Sequence, residues 1–239
     1  MLDLRTGVLW RADDTGSRLP LRSLRFVSEA RPGVAALRCE AGSSSLSASA
    51  PLQTRPPERA SAADEKRQLI VKHGHRQVAG QEVSWRTVGV AGGAGIAAAA
   101  VQRQLDGPVH RVVERIASFA WDEHRVPDPE DAIGPLQAAS RIGFDRLLAE
   151  HRAAWAERWS TASVTIHGDP DAEFAVRLAL FHLLGSVPST REAAVGARGV
   201  SGEAYGGHVF WDSDVFVLPV LAAVHPPQPG PCWSTGFGG

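Results

Sequence analysis

Residues 144–159 read FDRLLAEHRAAWAERW and space their apolar side chains as one face of a helix requires. The stripe consists of Phe144, Leu147, Leu148, His151, Trp155 and Trp159. Spacing of three and four positions over this length predicts a long amphipathic helix that buries one side. This helix divides the chain into a part with short strand-like runs and a part with helical patterns.

Upstream of this helix the pattern is strand-like. Short apolar runs broken by Gly, Pro and Asp, such as residues 7–11, 68–71 and 83–90, are typical of antiparallel sheets. Residues 42–64 are rich in Ser, Pro and Ala, which predicts an exposed loop. We therefore expect part of a β-sandwich over residues 1–108 and a helical linker over residues 109–165.

Downstream, a second helix start is marked by Asp169 as N-cap and Pro170 at the first helical position. Residues 174–184 are apolar on nearly every side, so we expect this helix to be buried among others. A glycine-rich loop and a very apolar run, residues 215–224, follow. A sheet followed by helices predicts an α+β chain of two domains joined by a linker helix.

Charge and composition exclude several classes of protein. The formal net charge is -1 over 239 residues, which removes the electrostatic argument for a nucleic-acid partner. No apolar run reaches the roughly 18–20 residues that span a bilayer, and no signal peptide is visible at the start. With only Cys39 and Cys232, a disulfide framework is excluded, and we expect a cytoplasmic protein without a membrane partner.

The chemistry is concentrated in residues 196–214. Five glycines within residues 196–207 let a ligand approach the backbone closely. The candidate sugar-binding side chains among and after them are Glu203, Tyr205, His208, Trp211 and Asp212. An indole face covers the apolar side of a pyranose, and a carboxylate accepts hydrogen bonds from neighbouring hydroxyl groups.

A structural interpretation competes with this one. Asp212 could simply cap the following helix while Trp211 packs in the core. In the same interpretation His208 is a structural hydrogen-bond partner and Glu203 is a solvated loop charge. The residue types alone leave both interpretations open.

The same stretch resembles a segment of the family 65 glycoside hydrolases, which are mostly phosphorylases of α-linked disaccharides such as trehalose, maltose and kojibiose. The positions that agree with the family pattern in register are Gly199, Ser201, Gly202, Glu203, Tyr205, Gly207, His208, Phe210, Trp211, Asp212 and Phe216, with Leu218 and Pro219 after them. Val200, Ala204, Ser213 and Asp214 depart from it mildly. By this resemblance, Trp211 and Asp212 contact the glucose unit at the cleaved bond.

The resemblance also implies a fold and a reaction. The fold would be a partial N-terminal β-sandwich, a linker helix, and the start of an (α/α)6 barrel over residues 166–225. The reaction would be inverting phosphorolysis of an α-glucosyl disaccharide, with one glutamic acid as proton donor and inorganic phosphate as co-substrate. No metal or organic cofactor is implied, and a full-length member would be a homodimer.

Two rival functions remain open at this point. A family member could hydrolyse glucosyl glycosides with water, or the chain could be a carbohydrate-binding remnant without turnover. The family's proton donor and phosphate loop lie downstream of the matched segment, so we expect a fragment truncated at both ends and inactive alone. Residues 226–239 lack an apolar period, and we expect them to be an out-of-frame tail.

Other motifs favour structural roles. Gly89, Gly92, Gly93 and Gly95 lack the strand–helix context of a dinucleotide site and predict a flexible strand or turn. His73 and His75 have no further ligands nearby, so a solvated loop is expected there rather than a metal site. Cys39 is expected to be a small buried apolar residue.

Overall fold

The computed structural model describes residues 1–13, 21–42, 69–90, 93–106, 110–187, 195–197, 199 and 208–224. The predicted loop at residues 42–64 lies, except for Gly42, outside this part of the chain, as do the candidate residues Glu203 and Tyr205 and the predicted tail at residues 226–239. The contacts divide the chain into two compact units, and each is described separately below. The first comprises Met1–Leu2 and Val8–Glu150, and the second Asp3–Gly7 and His151–Gly239.

The strands form one eight-stranded sheet in the order β1-β2-β3-β4-β8-β7-β6-β5. Pairing is antiparallel from β2 across the sheet to β5. The strand bounds are β1 Leu2–Asp3, β2 Val8–Asp13, β3 Leu21–Val27, β4 Val34–Gly42, β5 Leu69–Val78, β6 Gln81–Val90, β7 Gly95–Asp106 and β8 His110–Asp122.

Strand β8 corrects the predicted boundary at residue 108. We expected a helical linker from residue 109, but the sheet continues to Asp122. Strand β8 carries apolar side chains on both faces, among them buried Ile116 on one and exposed Phe119 on the other. A strand of this kind lacks the alternation of apolar and polar residues that identifies a half-exposed strand.

One face of the sheet packs against helix α1, Pro129–Ile142. The core between them includes Ala99, Ile116, Ile133 and Leu136, and the start of helix α2 adds Phe144. The opposite face carries half-exposed Ile96, Phe119 and Trp121. An antiparallel sheet followed by helices is therefore confirmed, whereas the described strands belong to one sheet and not to the two stacked sheets of a sandwich.

His73 and His75 lie on strand β5, exposed, and not in the loop that we expected. Gly89 and Gly95 lie at the hairpin between β6 and β7, as the strand-or-turn interpretation predicts. Cys39 is half-buried on β4, and burial raises the pKa of its thiol.

Helix α2, Phe144–Ala162, confirms the predicted long helix and its stripe. His151 and Trp155 are buried, and Trp159 packs beside them. Within the second unit this part of α2 binds the segment Asp3–Gly7: Trp159 donates to the carbonyl oxygen of Leu4 at 3.0 Å.

Helix α3, Pro170–Ser186, begins as predicted, since the Asp169 carboxylate accepts a hydrogen bond of 2.9 Å from Ala172 N. Its burial differs from the prediction. Only Leu180 and Leu184 are buried in the described structure, and the Phe174 side chain is 58% exposed. Apolar side chains on all sides of a helix require neighbours on all sides, and the described residues supply them on one side.

The last described helical segment follows the glycine-rich stretch. A π-helical turn, Ser213–Val217, leads directly into helix α4, Leu218–Val224, so the apolar run is helical as predicted. Leu221 is its buried residue and joins Trp155, Ala162 and Leu184 in the core of the second unit. Among the helices in the described ranges, none is both long and apolar enough to cross a bilayer.

Candidate functional site

Trp211 lies at the surface and not in the core. Its side chain is 71% exposed, and its ring centroid lies 6.4 Å from that of Phe216, with the two rings tilted by 45°. Core packing, the competing interpretation of this tryptophan, is therefore wrong within the described structure. An exposed indole face is available to stack against a ligand.

Asp212 begins the helical turn without capping it. Its backbone is already helical, with φ −63° and ψ −26°, and its side chain makes no capping hydrogen bond. Asp169, in contrast, holds a non-helical conformation and caps α3 through its carboxylate. The carboxylate of Asp212 is exposed beside Trp211, which removes the capping interpretation and leaves its oxygens able to accept hydrogen bonds from a ligand.

His208 is exposed at the other end of this short surface segment. Its carbonyl oxygen accepts a hydrogen bond from Ala197 N at 3.2 Å, and its ring lies 6.5 Å from that of Phe210. The bond brings residues 197 and 208 together. The structure thus places His208, Trp211 and Asp212 on one short segment, while the other two predicted residues lie outside the described part of the chain.

Sequence reasoning missed two residues that join separate segments of the second unit. Arg158 is buried on α2 and donates to Leu184 O at 2.7 Å and to Val187 O at 3.1 Å, at the end of α3. Ser213 donates its hydroxyl hydrogen to Val195 O at 2.8 Å. Neither residue carries a local signal, because an arginine on a helix and a serine at a helix start are common in any sequence.

Two other kinds of site are relevant among the described residues: a cleft in the first unit and a metal site. A cleft of about 240 Å³ in the first unit, lined by Gln81, Arg103 and Ser140 among others, contains none of the predicted site residues. In the described ranges, His, Cys, Asp and Glu side chains nowhere gather in a group of three or more that could hold a metal ion.

Comparison with known proteins supports the interpretation of this segment. Residues 177–229 match the sequence profile of the glycosyl hydrolase family 65 central catalytic domain. This match supports a fragment of a family 65 glycoside hydrolase. The matched range contains His208, Trp211 and Asp212, the three candidates that the structure describes.

Individual relatives match a limited part of the chain. A kojibiose phosphorylase of Caldanaerobacter subterraneus subsp. tengcongensis is 45% identical over 85 residues, which is 35% of this chain and 11% of the relative. A kojibiose hydrolase of Mucilaginibacter mallensis is 37% identical over 99 residues, 38% of this chain and 14% of the relative. The matched segment thus spans a small part of these curated relatives.

A solved structure shares the fold over nearly the whole chain. It is named as a candidate kojibiose phosphorylase from the human microbiome, and the superposition gives a TM-score of 0.74 over 92% of this chain and 31% of that one. At 17% sequence identity this similarity concerns the fold alone.

Proposed function

We propose that the segment around Trp211 and Asp212 is part of the glucose-binding site of a glycoside phosphorylase acting on an α-glucosyl disaccharide. This proposal rests on two neighbouring side chains. The indole of Trp211 is exposed, and the exposed carboxylate of Asp212 makes no capping hydrogen bond. The indole face stacks on the apolar face of the pyranose, while the carboxylate accepts hydrogen bonds from sugar hydroxyl groups. His208, Glu203 and Tyr205 are proposed to complete the sugar contacts.

The proposed reaction is phosphorolysis with inversion. One protonated glutamic acid donates a proton to the leaving oxygen while inorganic phosphate attacks the opposite face of the sugar. That acid is expected from a part of the enzyme that the matched segment does not cover, so the chain alone is proposed to bind sugar without turning it over. Kojibiose is the first substrate to test, since it is the substrate in the name of a similar phosphorylase.

The proposal extends to the domain architecture and to the complete enzyme. The sheet would be part of the family's N-terminal β-sandwich, and α3 and α4 would begin its (α/α)6 barrel. The complete enzyme would be a cytoplasmic homodimer that uses phosphate as co-substrate and no metal or organic cofactor.

Glucose binding by the purified chain tests the site. Isothermal titration with glucose and with kojibiose is expected to show saturable binding that Trp211→Ala abolishes. Trp121→Ala is the matched control, because Trp121 is also exposed, at 44%, but lies on the sheet. Equal binding by the Trp211→Ala variant and the parent chain would contradict the proposed site.

Hydrolysis is the second candidate reaction, since one of the similar proteins is named as a kojibiose hydrolase. A longer enzyme that contains this segment distinguishes the two reactions. Phosphorolysis consumes phosphate and yields glucose 1-phosphate and free glucose, whereas hydrolysis yields only free glucose regardless of phosphate. Sugar binding without either reaction would identify a carbohydrate-binding protein.

A further inference from the structure

The hydroxyl of Ser213 joins two segments that are far apart in sequence. Its Oγ donates to the carbonyl oxygen of Val195 at 2.8 Å, across 18 positions. A second bond, from Ala197 N to His208 O at 3.2 Å, runs between the same two stretches. Residues 195–197 are therefore held against residues 208–213 by one side-chain bond and one backbone bond.

Two other helical serines, Ser160 and Ser186, bond within their own helices. Ser160 donates to Glu157 O at 2.6 Å and Ser186 donates to His182 O at 2.7 Å, both within their own helices. Such local bonds to a carbonyl of the preceding turn are the usual arrangement for serine in a helix. The Ser213 hydroxyl instead reaches a separate segment, so its loss would change a tertiary contact.

Ser213 follows Trp211 and Asp212 in the same turn. Asp214 N and Val215 N both bond to Trp211 O, at 3.1 and 3.3 Å, so the backbone from Trp211 to Val215 is one hydrogen-bonded unit. The Trp211 side chain is 71% exposed and gains little orientation from packing. Its direction, and that of Asp212, therefore depends mainly on where this turn is held.

We propose that Ser213 is a positioning residue, which fixes the orientation of Trp211 and Asp212 by tying their turn to Val195. The role in sugar binding rests on the proposed function. Removal of the hydroxyl leaves Val195 O without this donor and allows the turn to shift. Since a single part-buried hydrogen bond contributes modestly, the affinity for glucose is expected to fall about three- to tenfold.

The test compares Ser213→Ala and Ser213→Thr in the full chain. Threonine keeps the hydroxyl group and is expected to keep the bond. Ser160→Ala is the matched control, because it removes a serine-to-carbonyl bond that lies within one helix. The measurements are the glucose dissociation constant, the thermal midpoint, and the 19F NMR signal of 5-fluorotryptophan at position 211, assigned with Trp211→Phe.

We expect Ser213→Ala to shift or broaden the Trp211 signal and to weaken glucose binding, with Ser213→Thr and Ser160→Ala close to the parent. An unchanged Trp211 signal in a folded Ser213→Ala chain would overturn the proposal, as would weakened binding in Ser160→Ala of the same size. If the parent chain binds no glucose but Ser213→Ala still alters the Trp211 signal, the proposed function fails and the positioning role stands.

Discussion

The indole nitrogen of Trp159 donates a hydrogen bond of 3.0 Å to the carbonyl oxygen of Leu4, 155 positions earlier in the chain. His151, Trp155 and Trp159 follow each other at four-residue intervals on α2, and each one contacts the segment Asp3–Gly7 or its backbone. The first residues of the chain are thereby part of the second compact unit. Two predictions concern these contacts between helix α2 and the segment Asp3–Gly7.

The stability of the second unit should fall as the pH falls below 6.5. His151 is 1% exposed, and burial lowers the pKa of its ring to about 4, although hydrogen bonds with the backbone of Thr6 and Gly7 oppose the shift. Between pH 6.5 and 4 the unfolded chain binds a proton here that the folded chain does not. The free energy of unfolding should therefore fall by up to about 1.4 kcal/mol per pH unit in this window.

Urea unfolding at pH 7, 6 and 5 measures this dependence. His151→Gln keeps a polar side chain but does not titrate, so its stability should vary less over the same range. Identical pH profiles for the parent chain and the His151→Gln variant would rule out the histidine as the cause.

Gly7→Ala should destabilise the chain by about 2–4 kcal/mol. Gly7 has φ +62°, and a Cβ there would lie 2.4 Å from Trp155 Nε1, so strain and a collision with a buried ring combine. Gly168→Ala is the control, with φ +88° but nothing within 4 Å of the added carbon. It should cost only the backbone strain, about 1–2 kcal/mol. Equal thermal midpoints for the two variants would contradict the packing of Gly7 on Trp155.

Ala79→Asn should stabilise the hairpin between β5 and β6 by about 0.5–1 kcal/mol. Val78 pairs with Gln81, so Ala79 and Gly80 form a two-residue turn, and both have positive φ, +50° and +77°. Alanine is strained there, whereas asparagine tolerates this conformation. The same exchange at Ala153, exposed in the middle of α2, should instead destabilise slightly, because asparagine is a poorer helix former. Opposite signs in chemical denaturation are the expected result.

The two aspartates at helix starts should respond differently to truncation. Asp169→Ala removes a capping hydrogen bond and should lower stability by about 1 kcal/mol. Asp212→Ala removes no cap and should change stability by less than about 0.5 kcal/mol. In the complete enzyme, Asp212→Asn should nevertheless reduce activity severely, because the amide replaces an acceptor-only carboxylate. Near-normal turnover of Asp212→Asn would exclude Asp212 as a sugar ligand.

The purified chain should self-associate at increasing concentration. In the second unit Phe174, Phe216 and Trp211 are 58%, 65% and 71% exposed, and exposed apolar surface of this kind favours association. Sedimentation velocity should show a rising average mass, which Phe174→Gln together with Phe216→Gln reduces. Val27→Gln, at a position on the sheet that is 71% exposed, is the control. A monomer at all concentrations would contradict this prediction.

The sequence by itself determined the long helix α2 and the start of α3, and it predicted the location of the candidate site. Each of these depends on local chemistry: four-residue spacing of large apolar side chains, an Asp-Pro pair at a helix start, and a dense motif in residues 196–214. The same motif predicted the family whose catalytic-domain profile residues 177–229 match. Local patterns suffice where the physical cause lies within a few residues of its effect.

Only the tertiary structure decided the extent of the sheet and the contacts that Asp212 and Ser213 make. Strand β8 escaped prediction because apolar side chains occupy both of its faces, buried Ile116 on one and exposed Phe119 and Trp121 on the other, so the alternation that identifies a strand is lost. The capping and ligand interpretations of Asp212 use the same residue and the same position, and backbone angles that a sequence does not contain separate them. The link from Ser213 to Val195 depends on two segments that meet only when the chain is folded.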